Sequence, residues 1–286
     1  MTIEAFLLPA DNRQRFCLYH APVTLAGASP NGQIVYVHPF GEEMNKSRRM
    51  AALQSRALSR SGFAVLQVDL HGCGDSSDDF GDATWSNWIE DVTDASHWLF
   101  RRTKADFQDH PPVPLWFWGL RAGCLLAVQA AKALREPCNF LFWAPSPGGK
   151  PLLQQFLRLK AASELASGNA KGVLENLRAR LASGHTVEIA GYKMTPSVAS
   201  GLEQAQLLPP DVGSSNGRVE WFELSNRPDA DFTPVAAKCI ADWQQADYTV
   251  RPHLVKGPPF WQTTEIEDAP DLIELTVANL RAGGAS

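Results

Sequence analysis

Two glycines at a fixed spacing near the middle of the chain constrain its fold more than any other feature. They lie in the segment Gly119 to Gly123, with the sequence GLRAG, between a run that predicts a strand (113–118) and a pattern that predicts a helix (125–134). This spacing is typical of a tight turn from a strand into a helix, whose central residue projects into a pocket and is usually a nucleophilic serine. The central residue here is Arg121. The segment therefore predicts the turn without its usual nucleophile.

Arginine limits the chemistry that this turn can perform. Its guanidinium stays protonated at physiological pH, so Arg121 can bind an anion or polarise a carbonyl group, but it cannot attack one. The first backbone N–H groups of a helix can still stabilise an oxyanion, and Ala122 is the expected donor at this turn. Arg121 and Ala122 are therefore candidate site residues without a nucleophilic role.

Apolar runs alternate with helical patterns over most of the chain. The runs that predict strands are 33–37, 63–69, 113–118, 139–143, 218–224 and 248–255, and helical spacing covers 47–59, 85–100, 125–134, 235–245 and 269–280. Continuous apolar strands that alternate with helices are typical of a mostly parallel, doubly wound sheet covered on both faces. The stretch between 151 and 208 is mainly helical. We therefore predict an α/β core at 1–149 and 210–286 with a helical cap inserted at 150–209.

Composition excludes several classes of protein. The 286 residues carry a net charge of −5, and no dense basic run compensates for it, so nucleic-acid binding is not expected. No apolar run approaches the ~20 residues that span a bilayer, which predicts a cytoplasmic protein without a membrane span. The five cysteines are scattered without CxxC spacing, which argues against disulfides and zinc. We expect neither a metal nor a cofactor.

The loop after the first of these predicted strands carries several candidate site residues. In a doubly wound sheet, functional groups gather beyond the carboxyl ends of the strands, where His38, Phe40 and Gly41 are placed. Phe40 or Gly41 is the expected source of a second oxyanion N–H group. Glu42 and Glu43 follow, and either carboxylate could activate a water molecule. Alternatively, these two acids form the solvated start of a helix, where the helix dipole favours negative charge.

Two later loops stand where a catalytic acid and a catalytic base would be supplied. After the strand at 218–224, Asp231 is the preferred acid and Asp229 the second choice. After the strand at 248–255, Phe260 stands at the expected histidine position, and Trp261 follows it. His253 lies inside the predicted strand and reaches the site only if that strand ends early. A nucleophile–histidine–acid mechanism is therefore not available from these residues.

Four segments, spread over nearly the whole chain, carry a resemblance to a known family. They are 38–50 (HPFGEEMNKSRRM), 69–76 (DLHGCGDS), 119–123 (GLRAG) and 256–261 (KGPPFW). In these segments the chain resembles the second type of exosortase A system-associated hydrolase, in the α/β-hydrolase superfamily. The resemblance implies the α/β-hydrolase fold and a bacterial, cytoplasmic protein associated with exosortase-dependent protein sorting and exopolysaccharide production. It implies no particular substrate. Arg121 and Phe260 depart from the serine and histidine of the wider superfamily.

The first functional hypothesis is a hydrolase with a non-serine mechanism, acting on an acyl ester, a thioester or an acetylated sugar. In it, Glu42 or Glu43 activates water, while Arg121 holds a carboxylate or polarises the acyl carbonyl.

The second hypothesis is a catalytically inactive protein that binds an anionic ligand or a protein partner of the exosortase system. Here Arg121 captures the anion in an aromatic pocket lined by Phe40, Phe260 and Trp261. A third possibility is that Arg121 forms a salt bridge with Asp231 or Glu43 and is structural. The sequence does not decide among the three.

Overall fold

A central sheet with helices on both faces forms the body of the protein. The computed structural model describes residues 2–10, 13–25, 28–166, 172–211 and 217–282. The strands in this part of the chain are β1 (Ile3–Ala10), β2 (Arg13–His20), β3 (Gly32–Val37), β4 (Phe63–Val68), β5 (Leu115–Leu120), β6 (Asn139–Trp143), β7 (Val187–Ile189), β8 (Tyr192–Met194), β9 (Arg218–Ser225) and β10 (Thr249–Lys256). The helices are α1 (Glu42–Arg60), α2 (Trp85–Asp106), α3 (Ala122–Leu134), α4 (Gly149–Ala166), α5 (Val173–Ala182), α6 (Pro196–Gln204), α7 (Pro234–Gln245) and α8 (Pro270–Ala282).

The sheet follows the order β1-β2-β4-β3-β5-β6-β9-β10 in the described part of the chain. From β4 to β10 all neighbouring strands are parallel, while β2 pairs antiparallel with both β1 and β4. Parallel neighbours require crossover connections, which the helices supply. The predicted mostly parallel, doubly wound sheet is therefore confirmed.

Burial on both faces explains why the central strands are continuous apolar runs. In β6, Phe140 and Phe142 lie in the core that packs against α2, α3 and α7. Leu141 and Trp143 of the same strand lie in the second core, beneath α1 and α8. Successive side chains of a strand point to opposite faces, so a strand covered on both sides needs apolar residues at every position.

The segment between β6 and β9 contains α4, α5, the β7–β8 hairpin and α6. The hairpin turn consists of Ala190 and Gly191, both with positive φ angles, of 50° and 85°. Two central residues with positive φ are the signature of the turns that best match the twist of paired strands. The sequence indicates only a weak strand-like run here, because β7 and β8 have three residues each and pair only with each other among the described strands. No helix of the described residues is long and apolar enough to cross a membrane.

The N-terminal hairpin, β1 and β2, is absent from the prediction. Several of its side chains are exposed or only partly buried, so its residues lack the continuous apolar pattern of the central strands. Its antiparallel attachment to β4 joins residues about fifty positions apart, such as Cys17 and Val68. The first helix also begins earlier than predicted, at Glu42 rather than Ser47, because Gly41 with φ of 61° allows the chain to turn directly into it.

A buried ion pair attaches this hairpin to α2. Arg15 Nη1 donates to Asp91 Oδ1 at 2.8 Å, and both side chains are completely buried. The other oxygen, Asp91 Oδ2, accepts the His71 backbone N–H at 2.7 Å. Arg15 Nη2 also contacts Asp94, whose side chain is 43% exposed. Burial raises the pKa of Asp91, which Arg15 partly opposes.

Replacing Asp91 with alanine should destabilise the fold strongly. The change leaves the buried Arg15 without its main counter-charge, which costs about 3–5 kcal/mol of unfolding free energy. Asp94→Ala is the matched control, because it removes an exposed partner of the same arginine and should cost under about 1 kcal/mol. Urea denaturation followed by circular dichroism measures both. Equal losses in the two variants would contradict the importance of the buried pair.

Candidate functional site

The turn between β5 and α3 has the geometry that the glycine spacing predicts. Arg121 has φ of 55° and ψ of −117°, a conformation that residues other than glycine rarely adopt. Its backbone N–H donates to the Trp143 carbonyl oxygen at 3.1 Å, and its own carbonyl accepts from Cys124 N–H at 3.1 Å. These contacts hold residue 121 at the carboxyl end of β5.

The two glycines are required because backbone segments approach each other closely here. A Cβ atom at Gly119 would lie 2.5 Å from the Cα atom of Cys124 in α3. One at Gly123 would lie 2.0 Å from the Val37 carbonyl oxygen in β3. Neither position has room for a side chain, so α3 can pack this tightly only with glycine at both.

The Arg121 side chain contacts three different parts of the fold. Nη2 donates to Gln155 Oε1 of α4 at 2.8 Å. Nε and Nη2 both contact Glu43 Oε1 of α1 at 3.4 Å, a long ion pair whose side chains are 13% and 21% exposed. The guanidinium carbon lies 5.6 Å from the centre of the Trp261 ring, within range of a cation–π interaction. Arg121 thus joins α1, α4 and the loop after β10.

Glu43, rather than Asp231, is the acid that pairs with Arg121. Glu43 lies in the first turn of α1, and burial raises its pKa, an effect that Arg121 opposes. Asp231 is exposed, and its Oδ1 accepts the N–H of the adjacent Phe232 at 2.7 Å. In the described part of the chain no ion pair involves Asp231, and the equally exposed Asp229 forms none either. Of the two partners that the sequence left open, the structure brings only Glu43 to the arginine.

A cavity of about 190 Å³ opens beside this cluster. Its lining residues are Phe40, Glu42, Glu43, Lys46, Leu152, Gln155, Phe156, Leu159, Trp261 and Gln262. Phe40 is nearly buried and packs edge-on against Phe156 of α4, with ring centres 5.2 Å apart. One wall of the cavity is therefore apolar and comes largely from α4, which also supplies the amide of Gln155. The charged groups come from α1, and the amide of Gln262 comes from the loop after β10.

Glu42 is held by a contact with the β7–β8 hairpin. Tyr192 Oη donates to Glu42 Oε1 at 3.0 Å and accepts from Asn45 Nδ2 at 2.9 Å. Burial raises the pKa of Tyr192 to about 12, so the phenol stays protonated and able to donate. The start of α1 is therefore tied to the segment between β6 and β9 through Tyr192 as well as through Arg121.

His38 is buried and does not line this cavity. Its Nε2 accepts the Leu70 backbone N–H at 3.0 Å, and Nδ1 donates to the Pro39 carbonyl at 2.6 Å. An amide N–H can only donate, so Nε2 carries no proton. Burial lowers the pKa of His38, which keeps the ring neutral. Both ring nitrogens are engaged in these hydrogen bonds, so neither can bind a ligand in this arrangement.

Phe260 also lies outside the cavity, although its neighbour Trp261 lines it. Phe260 is completely buried and packs edge-on against Trp143 and Trp261. The position expected for a histidine is therefore part of the core beneath α1 and α8. Trp261 is 6% exposed. Backbone turning in the proline-containing loop, rather than residue type, decides which of two adjacent aromatic residues reaches the cavity.

His253 cannot replace the missing base. It lies within β10, and its Nε2 is 2.7 Å from Glu220 Oε2. Its ring stacks on Phe222 at 4.4 Å, a residue of the core beneath α1 and α8. Glu220 is completely buried and also accepts from Arg218 at 2.6 Å. These contacts direct His253 away from Arg121 and into a structural charge cluster.

The remaining candidates have structural positions. Gly41 and Ala122 are both buried, directly at the starts of α1 and α3. Cys124 is buried, and its thiol contacts the Trp143 carbonyl at 3.8 Å; burial raises the pKa of this thiol, so it is not a nucleophile. Within the described ranges, no three histidine, cysteine, aspartate or glutamate residues form a group that could hold a metal ion.

The site residues that were not identified from the sequence include Gln155, Tyr192 and Lys46, as well as Gln262 and the apolar lining residues of α4. Gln155 and Tyr192 belong to the segment between β6 and β9, where no local motif marks them. Lys46 lies in a charged stretch that is equally typical of a solvated helix face. Only the packing of α4 and the hairpin against α1 brings these side chains to the cavity.

Structural comparison identifies the fold. The structure superposes on a monoglyceride lipase from Saccharomyces cerevisiae with a TM-score of 0.62 and 14% identity, over 100% of this chain and 96% of that one. It superposes on Est1E from Butyrivibrio proteoclasticus, determined with bound ferulic acid, with a TM-score of 0.61 and 15% identity over 98% and 97%. For the alpha/beta hydrolase GrgF from Penicillium sp. sh18 the values are 0.60 and 14%, over 100% of both chains. The chain has the α/β-hydrolase fold.

Sequence comparison gives a more limited match. A stretch of 126 residues, 44% of this chain, is 30% identical to the human protein ABHD12B. The aligned stretch spans 31% of the length of that protein, so the match does not extend to the whole relative. No family model matches the chain.

The turn between β5 and α3 that carries residue 121 is called the elbow. Placing a serine at this elbow should not produce hydrolysis. Arg121→Ser places a hydroxyl at the correct position, but serine needs an adjacent base, and His38 and His253 are both engaged elsewhere. We expect hydrolysis of p-nitrophenyl acetate by this variant to equal that of Arg121→Ala. Turnover that Arg121→Ser gains and that His38→Ala or His253→Ala then removes would show that a base does reach residue 121.

The unfolding free energy should depend on pH in a way that reflects the raised pKa of the buried Glu43. Since folding raises the pKa of Glu43, its stabilising contribution is present at low pH and is lost as the pH rises through the raised value. The unfolding free energy of the native protein should therefore fall relative to Glu43→Gln between acidic and neutral pH. Urea denaturation at a series of pH values measures this.

Arg121→Met serves as the control for this effect. It removes the charge that opposes burial, so the pH dependence relative to the double variant with Glu43→Gln should become steeper. An opposite slope in the native protein would mean that the ion pair outweighs burial.

Proposed function

We propose that this protein, with its α/β-hydrolase fold, binds a small acyl or anionic molecule in the cavity beside Arg121 and does not hydrolyse it by a serine mechanism. The observation that carries this proposal is that the elbow side chain, Arg121, is engaged in contacts with other side chains. Where a serine would face the substrate, Arg121 contacts Gln155 and Glu43. The backbone of the elbow therefore has the usual geometry. Its side chain, however, is suited to binding and positioning a ligand and not to reacting with it.

Among the described residues, neither histidine that the sequence places near the site is free to act as a base, which supports binding over catalysis. His38 is buried and neutral with both ring nitrogens engaged, and His253 pairs with Glu220. A nucleophile without a base loses most of its catalytic power. The cavity itself remains, with an apolar wall and several polar groups, which is the usual composition of a small-molecule site.

Two helix starts favour an acceptor or negative group at this site. The helices α1 and α3 begin at Glu42 and Ala122, next to the contact between Glu43 and Arg121. The first N–H groups of a helix have no intrahelical partner and carry partial positive charge. We propose that these groups, together with Arg121, bias the site toward anionic or carbonyl groups.

The helical segment 150–209 is, in this proposal, the cap over the site. Four lining residues, Leu152, Gln155, Phe156 and Leu159, come from α4. Because Arg121 and Tyr192 also bind this segment to the elbow and to α1, the cap is held in place by polar contacts as well as by apolar packing.

A second candidate function is hydrolysis of an acyl ester, thioester or acetylated sugar with Glu43 as the base. One observation favours it: burial raises the pKa of Glu43, which makes its carboxylate a stronger base, and Glu43 lines the cavity. The ion pair with Arg121 works against it, because the guanidinium contacts one carboxylate oxygen, Oε1, and opposes the rise in pKa that burial causes.

The resemblance of four sequence segments supports a wider biological proposal. We place the protein in the cytoplasm of a bacterium, as a binding partner in exosortase-dependent sorting or exopolysaccharide production. Under this proposal the protein recognises an intermediate or a protein of that system rather than transforming a substrate.

A panel of acyl esters, thioesters and acetylated sugars tests binding against hydrolysis. We expect the native protein to show no turnover above Glu43→Gln and Arg121→Ala, while some panel members raise its melting temperature, as ligands of the folded state do. Turnover that scales with protein, persists in the control Lys150→Met and disappears in Glu43→Gln would overturn the binding proposal and establish the carboxylate mechanism.

A further inference from the structure

We infer that Lys46 is the anchor for the ligand's head group, and that the ligand is an anionic amphiphile with a short apolar tail lying against α4. This inference rests on the proposed function, because it concerns the same cavity. It goes further by naming the chemical class of the ligand and a residue for its charge.

Lys46 is the charged residue of the cavity that lacks a partner. It is half-buried and lines the cavity, and in the described part of the chain its ammonium group forms no ion pair or hydrogen bond. An ammonium group without a protein partner can take a counter-ion and donate charge-assisted hydrogen bonds to it. An anion in the cavity would supply that counter-ion.

Each acidic residue of the cavity has a protein partner through one carboxylate oxygen, Oε1. Glu43 accepts from Arg121, and Glu42 accepts from the hydroxyl of Tyr192. Lys46 is thus the charged lining residue without a protein partner in the described part of the chain, which favours a negative head group over an ammonium one.

The rest of the cavity suits a short hydrocarbon chain. Leu152 and Phe156 are 5% and 7% exposed, whereas Leu159 is 45% exposed, so the apolar wall is open at Leu159. With a volume of about 190 Å³ the cavity is smaller than the ~300–1,000 Å³ of drug-sized sites. A long-chain lipid does not fit inside, and a medium-length tail that leaves at Leu159 does.

Isothermal titration calorimetry with four eight-carbon probes tests the head-group chemistry. Octanoate and octyl phosphate carry negative heads, 1-octanol is neutral and octylammonium is positive. We expect both anions to bind saturably, octanol roughly tenfold more weakly, as the loss of one charge-assisted hydrogen bond implies, and octylammonium not at all. The two anions also separate carboxylate from phosphate as the preferred head.

Matched lysine variants test the residue. Lys46→Met keeps most of the aliphatic stem and removes the charge, so octanoate should bind roughly tenfold more weakly while octanol is unchanged. Lys150→Met is the control, because Lys150 is exposed on the first turn of α4 and does not line the cavity. Added salt should weaken octanoate binding to the native protein and leave octanol binding unaffected.

The outcomes separate this inference from the proposed function. Octanoate binding that Lys46→Met does not change, or octylammonium binding as tightly as octanoate, overturns the head-group assignment. In that case, weakening of every bound probe by Leu159→Ser, a change at an exposed lining position, still supports the cavity as a binding site. Failure of all four probes to bind overturns the ligand class, and the panel in the previous subsection then decides the proposed function alone.

Discussion

The close approach of α3 to the sheet is the constraint on which the site depends. There is no room for a Cβ atom at Gly119 or Gly123, because Cys124 and the Val37 carbonyl lie against them. The backbone between the two glycines must therefore turn sharply, and residue 121 takes a positive φ angle of 55° that leads its side chain away from the core. Whatever residue stands at this position is displayed at the carboxyl end of β5. In this chain that residue is a cation.

A partly buried guanidinium organises its surroundings, because it needs acceptors where water is scarce. Arg121 takes one from Glu43 in α1 and one from Gln155 in α4, and the Trp261 ring lies beside it. Residues from α1, α4 and the loop after β10 thereby meet at Arg121. A serine at this position would leave that space to a reacting carbonyl group. The open volume lies next to this cluster, between α1 and α4, and its chemistry is set by an apolar wall and by Lys46.

The strands buried on both faces could be predicted from their apolar runs, whereas the hairpin of β1 and β2 could not. The strand at 139–143 has the same bounds in prediction and structure, because the four residues that follow Asn139 in β6 are all apolar and buried. The hairpin of β1 and β2 was missed, because its stability comes from pairing with β4 and from the ion pair between Arg15 and Asp91. Neither interaction leaves a periodic pattern in the local sequence.

By itself, the sequence determined the fold class, the turn between β5 and α3 and the presence of an arginine instead of a nucleophile at residue 121, because each depends on residue type at a defined spacing along the chain. Tertiary structure alone decided which of two acids pairs with Arg121 and that Phe260 is core whereas Trp261 lines the cavity. It also decided that His253 pairs with Glu220 and does not reach the cavity. These outcomes depend on the direction of side chains from separate elements, and that direction is set by how the helices and loops pack on the sheet rather than by local sequence.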